Sequence, residues 1–190
     1  MYSIPKIFFL FIFSMHLNLY SKANDRKEAA NLVNTINRSK DTLAKLELTV
    51  SRYFNKILML AKPGNKYQPG VTDVDSLEYY YKNLIAYYDS SIRKVYTNKA
   101  FDLSARLKQD FLRLLKKGKE PWVMTIPVYL RGFRNGWSSL NLSEKNSIDS
   151  VGPVFRNAAE TTEKRLKMIN SQMDILINKY GLKKVDGIYR

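Results

Sequence analysis

One spacing pattern constrains the fold of this chain more than any other feature. Apolar residues recur at strict intervals of seven, at Ala29, Ile36, Leu43, Val50 and Ile57. Five heptads without a break predict a long helix that packs against another helix along this seam. Polar residues interrupt the middle of the same stripe, at Ser39, Lys40 and Glu47. The pattern therefore predicts packed helices and does not require a free-standing coiled coil.

Start and stop signals bound this first helix. Asp25 and Glu28 have the spacing of a capping box, in which each side chain satisfies a free amide of the first turn. Pro63-Gly64 supplies a helix stop. We therefore expect the helix to begin near Asp25 and to end before Pro63.

Two further helical regions follow. Asp75 and Glu78 repeat the capping-box spacing, and apolar residues then mark one helical face, but the pattern leaves open whether residues 76–118 form one helix or two. In the last region, Gly152-Pro153 suits a helix start and Gly181 a helix stop. A short helix is expected near residues 143–150, just before it.

The segment 119–139 has a different composition. Pro121, Pro127, Gly132 and Gly136 are spaced through it, and such breakers disfavour a helix. The segment is nevertheless apolar and aromatic, and it holds both tryptophans of the chain. It predicts a nonhelical aromatic loop that joins the penultimate and last helical regions.

The predicted fold class is all-α. We expect a bundle of three to four long helices with heptad-like packing and a nonhelical aromatic loop before the last helical region. Residues 24–182 are assigned to a single helical domain and residues 183–190 to a basic C-terminal tail. A chain of this size can bury one core without disulfides, which the absence of cysteine excludes.

The first residues resemble an export signal in their order. Lys6 precedes an unbroken apolar run, and Ser21 and Ala23 stand where a signal peptidase requires small residues. Cleavage after Ala23 would leave 190 − 23 = 167 residues. The alternative is an uncleaved anchor, since residues 4–20 reach the lower edge of a membrane-spanning length. The expected location is periplasmic, cell-surface or secreted.

Composition excludes several classes of enzyme. The only histidine, His16, lies inside the predicted signal, and the chain contains no cysteine. The mature protein would therefore lack Ser-His-Asp and Cys-His mechanisms and ordinary zinc sites. We expect a noncatalytic protein with no cofactor and no metal site.

The charge balance indicates an anionic partner. Lys and Arg number 32 against 17 Asp and Glu, a formal net charge of +15. The hypothetical binding residues combine cations with both tryptophans: Arg113, Lys116, Lys117, Lys119, Trp122, Arg131, Arg134 and Trp137. Basic residues beside aromatic ones suit an acidic sugar or a membrane interface, so peripheral membrane contact is one form of this expectation. Export disfavours nucleic acid as the partner.

Two functions remain as predictions. The preferred one is an exported, noncatalytic protein of the cell envelope or surface that binds acidic lipid, cell-wall polysaccharide or an acidic protein through a basic-aromatic end. The alternative is a periplasmic chaperone-like or scaffold protein that forms homo-oligomers through the heptad seam.

Overall fold

Long helices dominate the structure. The computed structural model describes residues 6–60, 69–99 and 103–190, with side chains from Ala23 onward. The helices are α1 (Lys6–Leu60), α2 (Val71–Thr97), α3 (Leu103–Asn135), α4 (Leu142–Asp149) and α5 (Val151–Tyr180). A short antiparallel hairpin follows, made of β1 (Lys184–Val185) and β2 (Ile188–Tyr189). The all-α class is therefore confirmed.

The helices pack against one another in chain order. The contacts join α1 to α2, α2 to α3 and α3 to α5, and α1 also reaches α5. The predicted seam residues of α1 are all buried, each no more than 6% exposed: Ala29, Ile36, Leu43, Val50 and Ile57. This apolar stripe is therefore covered within a single copy of the chain.

The predicted nonhelical loop is wrong. Helix α3 continues through Pro121 and Pro127 to Asn135, and a short turn of 3₁₀ helix follows at Trp137–Ser139. The chain leaves the helix at Gly136, whose φ of 83° lies in the region that favours glycine. Of the four breakers in this segment, only Gly136 stands at the break.

Burial explains why α3 tolerates its prolines. Trp122, Ile126, Tyr129 and Leu130 lie on one face at helical spacing, and each is at most 7% exposed. Each interior proline costs about 3 kcal/mol or more. Burial of a large apolar side chain contributes roughly 1.5–3 kcal/mol, so four of them offset two prolines. The helical spacing of these four residues is the sequence signal that opposes the prolines.

Helix boundaries differ from the predictions at two starts. Helix α1 runs from Lys6, so Asp25 and Glu28 lie inside it and cap nothing. Helix α2 begins at Val71 with Gly70 at its N-cap, which places Asp75 in its second turn.

Among the described residues, no helix combines the length and the apolar character needed to cross a bilayer.

Other boundaries agree with the predictions or resolve them. Residues 76–118 belong to two helices, because α2 ends at Thr97 and α3 begins at Leu103. Helix α1 ends at Leu60, and the predicted stop at Pro63-Gly64 lies outside the described residues. Pro153 falls in the first turn of α5, and Gly181 ends that helix with a left-handed φ of 58°. The short helix near residues 143–150 is present as α4.

A complete capping box starts α4. The Glu144 amide donates to Asn141 Oδ1 at 2.9 Å, and the Asn141 amide donates to Glu144 Oε2 at 3.0 Å.

The molecule has two ends that are compared below. The first, called here the loop end, consists of the turn at Trp137–Ser139, α4 and the last turns of α3. The hairpin, Gly181 and residues 23–34 of α1 lie toward the opposite end of the bundle, and this region is called here the hairpin end.

Candidate functional site

The predicted basic-aromatic residues do not form one patch. Arg113, Lys116, Lys117, Lys119 and Trp122 lie in the middle of α3, whereas Arg131 and Arg134 lie in its last turns. At about 1.5 Å per residue, roughly 30 Å of helix separates the first of these residues from the last. The hypothetical site therefore divides into two regions.

Most of these cations have carboxylate partners. Lys117 Nζ lies 2.8 Å from Glu120, Lys119 Nζ 2.6 Å from Asp89, and Arg113 3.8 Å from Asp110. In the last turns, Arg131 pairs with Glu144, and Arg134 reaches Asp75 at 2.6 Å and Glu78 at 2.5 Å. Within the described part of the chain, Lys116 has no such partner. These ion pairs reduce the free positive charge that the sequence suggests.

The tryptophans also face other protein groups. Trp122 is 6% exposed and meets Phe155 edge-on, with ring centroids 4.9 Å apart. Trp137 is 38% exposed and packs on Phe133 and Tyr129. A Cβ at Gly132 would lie 2.5 Å from the Trp137 ring, so the glycine allows this close approach. Trp137, Phe133 and Tyr129 therefore close the loop end, whereas Trp122 is buried in the middle of α3.

A polar cluster lies between α1, α2 and α3. The Tyr88 hydroxyl donates to Glu47 Oε1, and Trp122 Nε1 donates to the same oxygen at 3.4 Å. Burial raises the pKa of the Glu47 carboxyl, although both hydrogen bonds act in the opposite direction. Burial and the nearby Glu47 carboxylate raise the pKa of Tyr88. The absence of a side chain at Gly118 leaves room for the Tyr88 hydroxyl, which would lie 2.8 Å from a Cβ there.

Lys40 lies about two turns before Glu47 on α1, and both residues line a small cavity. The Lys40 ammonium donates to Asn170 Oδ1 at 2.6 Å, and burial lowers its pKa. The cavity of about 100 Å³ lies between Lys40 and Glu47, and its other walls are largely apolar, including Leu43, Phe111 and Leu115. Two of the three polar residues that interrupt the heptad seam, Lys40 and Glu47, therefore line an interior cavity.

A larger cleft opens next to this cavity, between α3 and α5. It has a volume of about 360 Å³ and shares the lining residues Leu114 and Thr162 with the inner cavity. Its apolar lining comes from both helices: Leu114, Pro121, Met124, Val154 and Ala158. Lys117, Glu120 and Arg165 supply its charged groups. The cleft therefore adjoins the inner cavity, which Glu47 lines, at Leu114 and Thr162.

Arg165 is the distinctive cation of this cleft. Its side chain is half-buried, and in the described ranges it has neither a hydrogen bond nor an ion pair. Lys117, across the cleft, pairs with Glu120. A half-buried guanidinium without a partner is suited to an acidic group from a ligand.

The α3–α5 cleft has the size and lining of a ligand site. Pockets of about 300–1,000 Å³ with mostly apolar walls and a few polar groups are typical of small-molecule sites. Within the described ranges, no group of three acidic residues could hold a metal ion. The sequence pointed to Lys117 but not to Arg165, because only the packing of α5 on α3 brings the two together.

Comparisons with protein-family models, with curated proteins and with solved structures find no match.

Proposed function

We propose that this protein is an exported, noncatalytic protein of the cell envelope or surface that binds an anionic, amphipathic partner in the α3–α5 cleft. The partner has an acidic head group and an apolar body, as a single-chain lipid does. The observation that carries this proposal is the unpaired, half-buried Arg165 at an otherwise largely apolar cleft. Of the basic and aromatic residues that the sequence predicts for binding, Lys117 lines this cleft, and the buried Trp122 follows the lining residue Pro121.

Charge and shape both support such a ligand. The formal net charge of +15 attracts anions from a distance, and the apolar lining favours a hydrocarbon group. An acidic head near Arg165 would replace its solvent contacts with a charge-assisted hydrogen bond. The inner cavity beyond Leu114 would extend the apolar part of the site.

The test uses dodecyl phosphate below its micelle concentration, with dodecyl maltoside as the neutral probe. Calorimetry measures affinity, and Trp122 fluorescence in a Trp137→Phe background reports on the cleft, since the chain holds two tryptophans. We expect saturable binding of the phosphate at one site. Because a charge-assisted bond contributes about 1.5–3 kcal/mol, the neutral probe should bind at least about tenfold more weakly.

Matched variants locate the binding. Ala158→Phe fills the cleft and Arg165→Gln removes its free cation, whereas Ala159 and Lys164 are exposed neighbours outside the lining. Loss of about tenfold in affinity is expected for the first pair and less than about twofold for Ala159→Phe and Lys164→Gln. Absent binding, or equal losses in both pairs, would contradict the proposal.

Export is tested separately, by the mass of the mature chain. The motivating feature is the order of Lys6, the apolar run and Ser21-Lys22-Ala23. Mass spectrometry of the protein isolated from outside the cytoplasm should give a chain that begins at Asn24. A full-length chain confined to the cytoplasm would contradict export.

We further propose that the long helices form a bundle with heptad-like packing along the buried seam of α1. Because Ala29, Ile36, Leu43, Val50 and Ile57 are covered within one copy, the seam does not need a second copy to bury it. A monomer is therefore expected by light scattering. A stable oligomer that Val50→Asp dissociates into folded monomers would favour the scaffold alternative.

A further inference from the structure

The hairpin end holds a further pocket, separate from the α3–α5 cleft. It lies between residues 23–34 of α1 and the hairpin, and its volume is about 370 Å³. The lining residues from α1 are Ala23, Arg26, Lys27, Ala30, Asn31 and Asn34, and those from the hairpin are Ile188, Tyr189 and Arg190. Three of these residues, Arg26, Lys27 and Arg190, are cationic, and none is Asp or Glu.

Specific bonds hold the hairpin in place on α1. Asn34 Nδ2 donates to the Tyr189 carbonyl at 2.9 Å, and the Tyr189 amide donates to Asn34 Oδ1 at 2.9 Å. Two positive-φ residues, Asp186 and Gly187, turn the hairpin. Both walls of the pocket are therefore fixed with respect to each other.

Within the described ranges, no Asp or Glu side chain pairs with the cations of this pocket. Arg26 donates to the Gly181 carbonyl at 3.3 Å and to the main-chain oxygen of Arg190 at 3.4 Å, an oxygen that belongs to the α-carboxylate of this chain. The charge that stays available to a ligand therefore comes from the side chains of Lys27 and Arg190. Lys27 and Arg190 form no side-chain ion pair within the described part of the chain, although Asp25, Glu28 and Asp186 lie close in sequence. Lys183 and Lys184 add further positive charge on the hairpin.

We propose that this pocket binds an oxyanion of the phosphate or sulfate type. Guanidinium groups present paired N–H donors that match such oxyanions, and lysine adds a mobile charge. The Asn31 amide, exposed on the same helix face, offers a further donor. The proposal is independent of the α3–α5 cleft, since the two pockets share no lining residue.

The experiment titrates the purified chain with inorganic phosphate at constant ionic strength and follows two-dimensional amide NMR spectra. The signals of Lys27, Tyr189 and the Asn34 side chain should shift together and saturate. The double variant Lys27→Gln/Arg190→Gln should lower the affinity at least about tenfold, because it removes two charged donors. Unchanged signals of the Asn34 side-chain amide in that variant, before phosphate is added, will show that the hairpin remains docked, because this amide bonds the Tyr189 backbone.

A matched double variant controls for net charge. Lys145 and Lys164 are exposed and lie elsewhere, so Lys145→Gln/Lys164→Gln lowers the net charge equally and should change affinity less than about twofold. Equal losses in the two double variants, or shifts spread over all exposed lysines, would overturn the site.

Two further arms separate the sources of the oxyanion. Vesicles of phosphatidic acid in phosphatidylcholine, compared with phosphatidylcholine alone, test a lipid head group, and heparin tests a sulfated sugar. Binding that the pocket double variant abolishes assigns that source to the site. Saturable binding of inorganic phosphate without binding of vesicles or heparin assigns a small soluble oxyanion.

Discussion

The two ends of the molecule carry similar charges in different settings. At the loop end, Arg131 and Arg134 meet carboxylates from α4 and α2. At the hairpin end, Arg26 meets main-chain oxygens of Gly181 and Arg190, and the side chains of Lys27 and Arg190 have no Asp or Glu partner in the described ranges. A count of basic residues favours the α3 segment as a binding region, whereas free charge is found at the hairpin end. Pairing across elements therefore decides where an anion can bind.

The two ends should differ most in how much a buried aromatic ring contributes to the free energy of unfolding. Tyr129 is 7% exposed, and its ring contacts Phe54 at a centroid distance of 4.7 Å and Trp137 at 5.7 Å. We expect Tyr129→Ala to lower the free energy of unfolding by about 3–5 kcal/mol, in urea denaturation. Tyr189→Ala removes a half-buried ring at the hairpin end and should cost about half as much or less. Equal losses would mean that both ends are closed by aromatic packing.

Gly132 tests how tightly the loop end is closed. A Cβ at this position would meet the Trp137 ring at 2.5 Å, whereas a Cβ at Gly152 in α5 meets nothing within 4 Å. Gly132→Ala should cost about 1–3 kcal/mol through overpacking and shift the Trp137 emission to longer wavelength. Gly152→Ala is the matched control and should be neutral or stabilising, since alanine is the better helix former. A neutral Gly132→Ala variant would show that Trp137 moves freely.

Asn34 tests the attachment of the hairpin. Asn34→Ala removes both hydrogen bonds to the Tyr189 backbone, and we expect a loss of about 1–2 kcal/mol. Hydrogen exchange at the Tyr189 amide should accelerate, while exchange in the core of α2 changes little. Asn31, three residues earlier and exposed, provides the control variant Asn31→Ala. An unchanged exchange rate at Tyr189 would mean that other contacts hold the hairpin.

Helical periodicity predicted the parts of this fold that depend on local sequence. The buried stripe of α1, the stop at Gly181 and the separate α4 follow from spacing and from single residues at helix ends. The prediction was wrong at Pro121 and Pro127, where buried neighbours outweigh a local penalty. Local propensity is a weak guide wherever tertiary burial is large.

The candidate sites were less predictable because their residues are distant in the chain. Arg134 pairs with Asp75, 59 residues away, and Asn34 binds Tyr189 across 155 residues. No local pattern encodes such contacts. One local signal did exist, since the polar residues Lys40 and Glu47 within an apolar stripe mark the interior cavity. Polar interruptions of a buried stripe therefore indicate where to search for a site.

The smallest expected effect is a difference between the two ends in how pH changes the cost of removing a cation. The Lys82 and Arg134 side chains hold the pKa of Glu78 below its ordinary value. A carboxylate with a lowered pKa stabilises the fold above its unfolded pKa, and this contribution is lost as the pH falls through its folded pKa. Arg134→Gln should therefore cost about 0.2–1 kcal/mol near neutral pH and close to nothing once the pH falls well below the ordinary pKa of Glu. Urea denaturation at both pH values measures this difference.

Lys27→Gln is the matched substitution at the hairpin end. Because Lys27 has no carboxylate partner in the described ranges, the effect of its substitution on stability should not vanish on acidification as that of Arg134→Gln does. Added salt should weaken the effect of Arg134→Gln, since exposed ion pairs are screened. An acid-dependent loss of the same size in Lys27→Gln would mean that this lysine is paired in solution. In that case the contrast between the ends would fail, and the oxyanion site would lose one of its free cations.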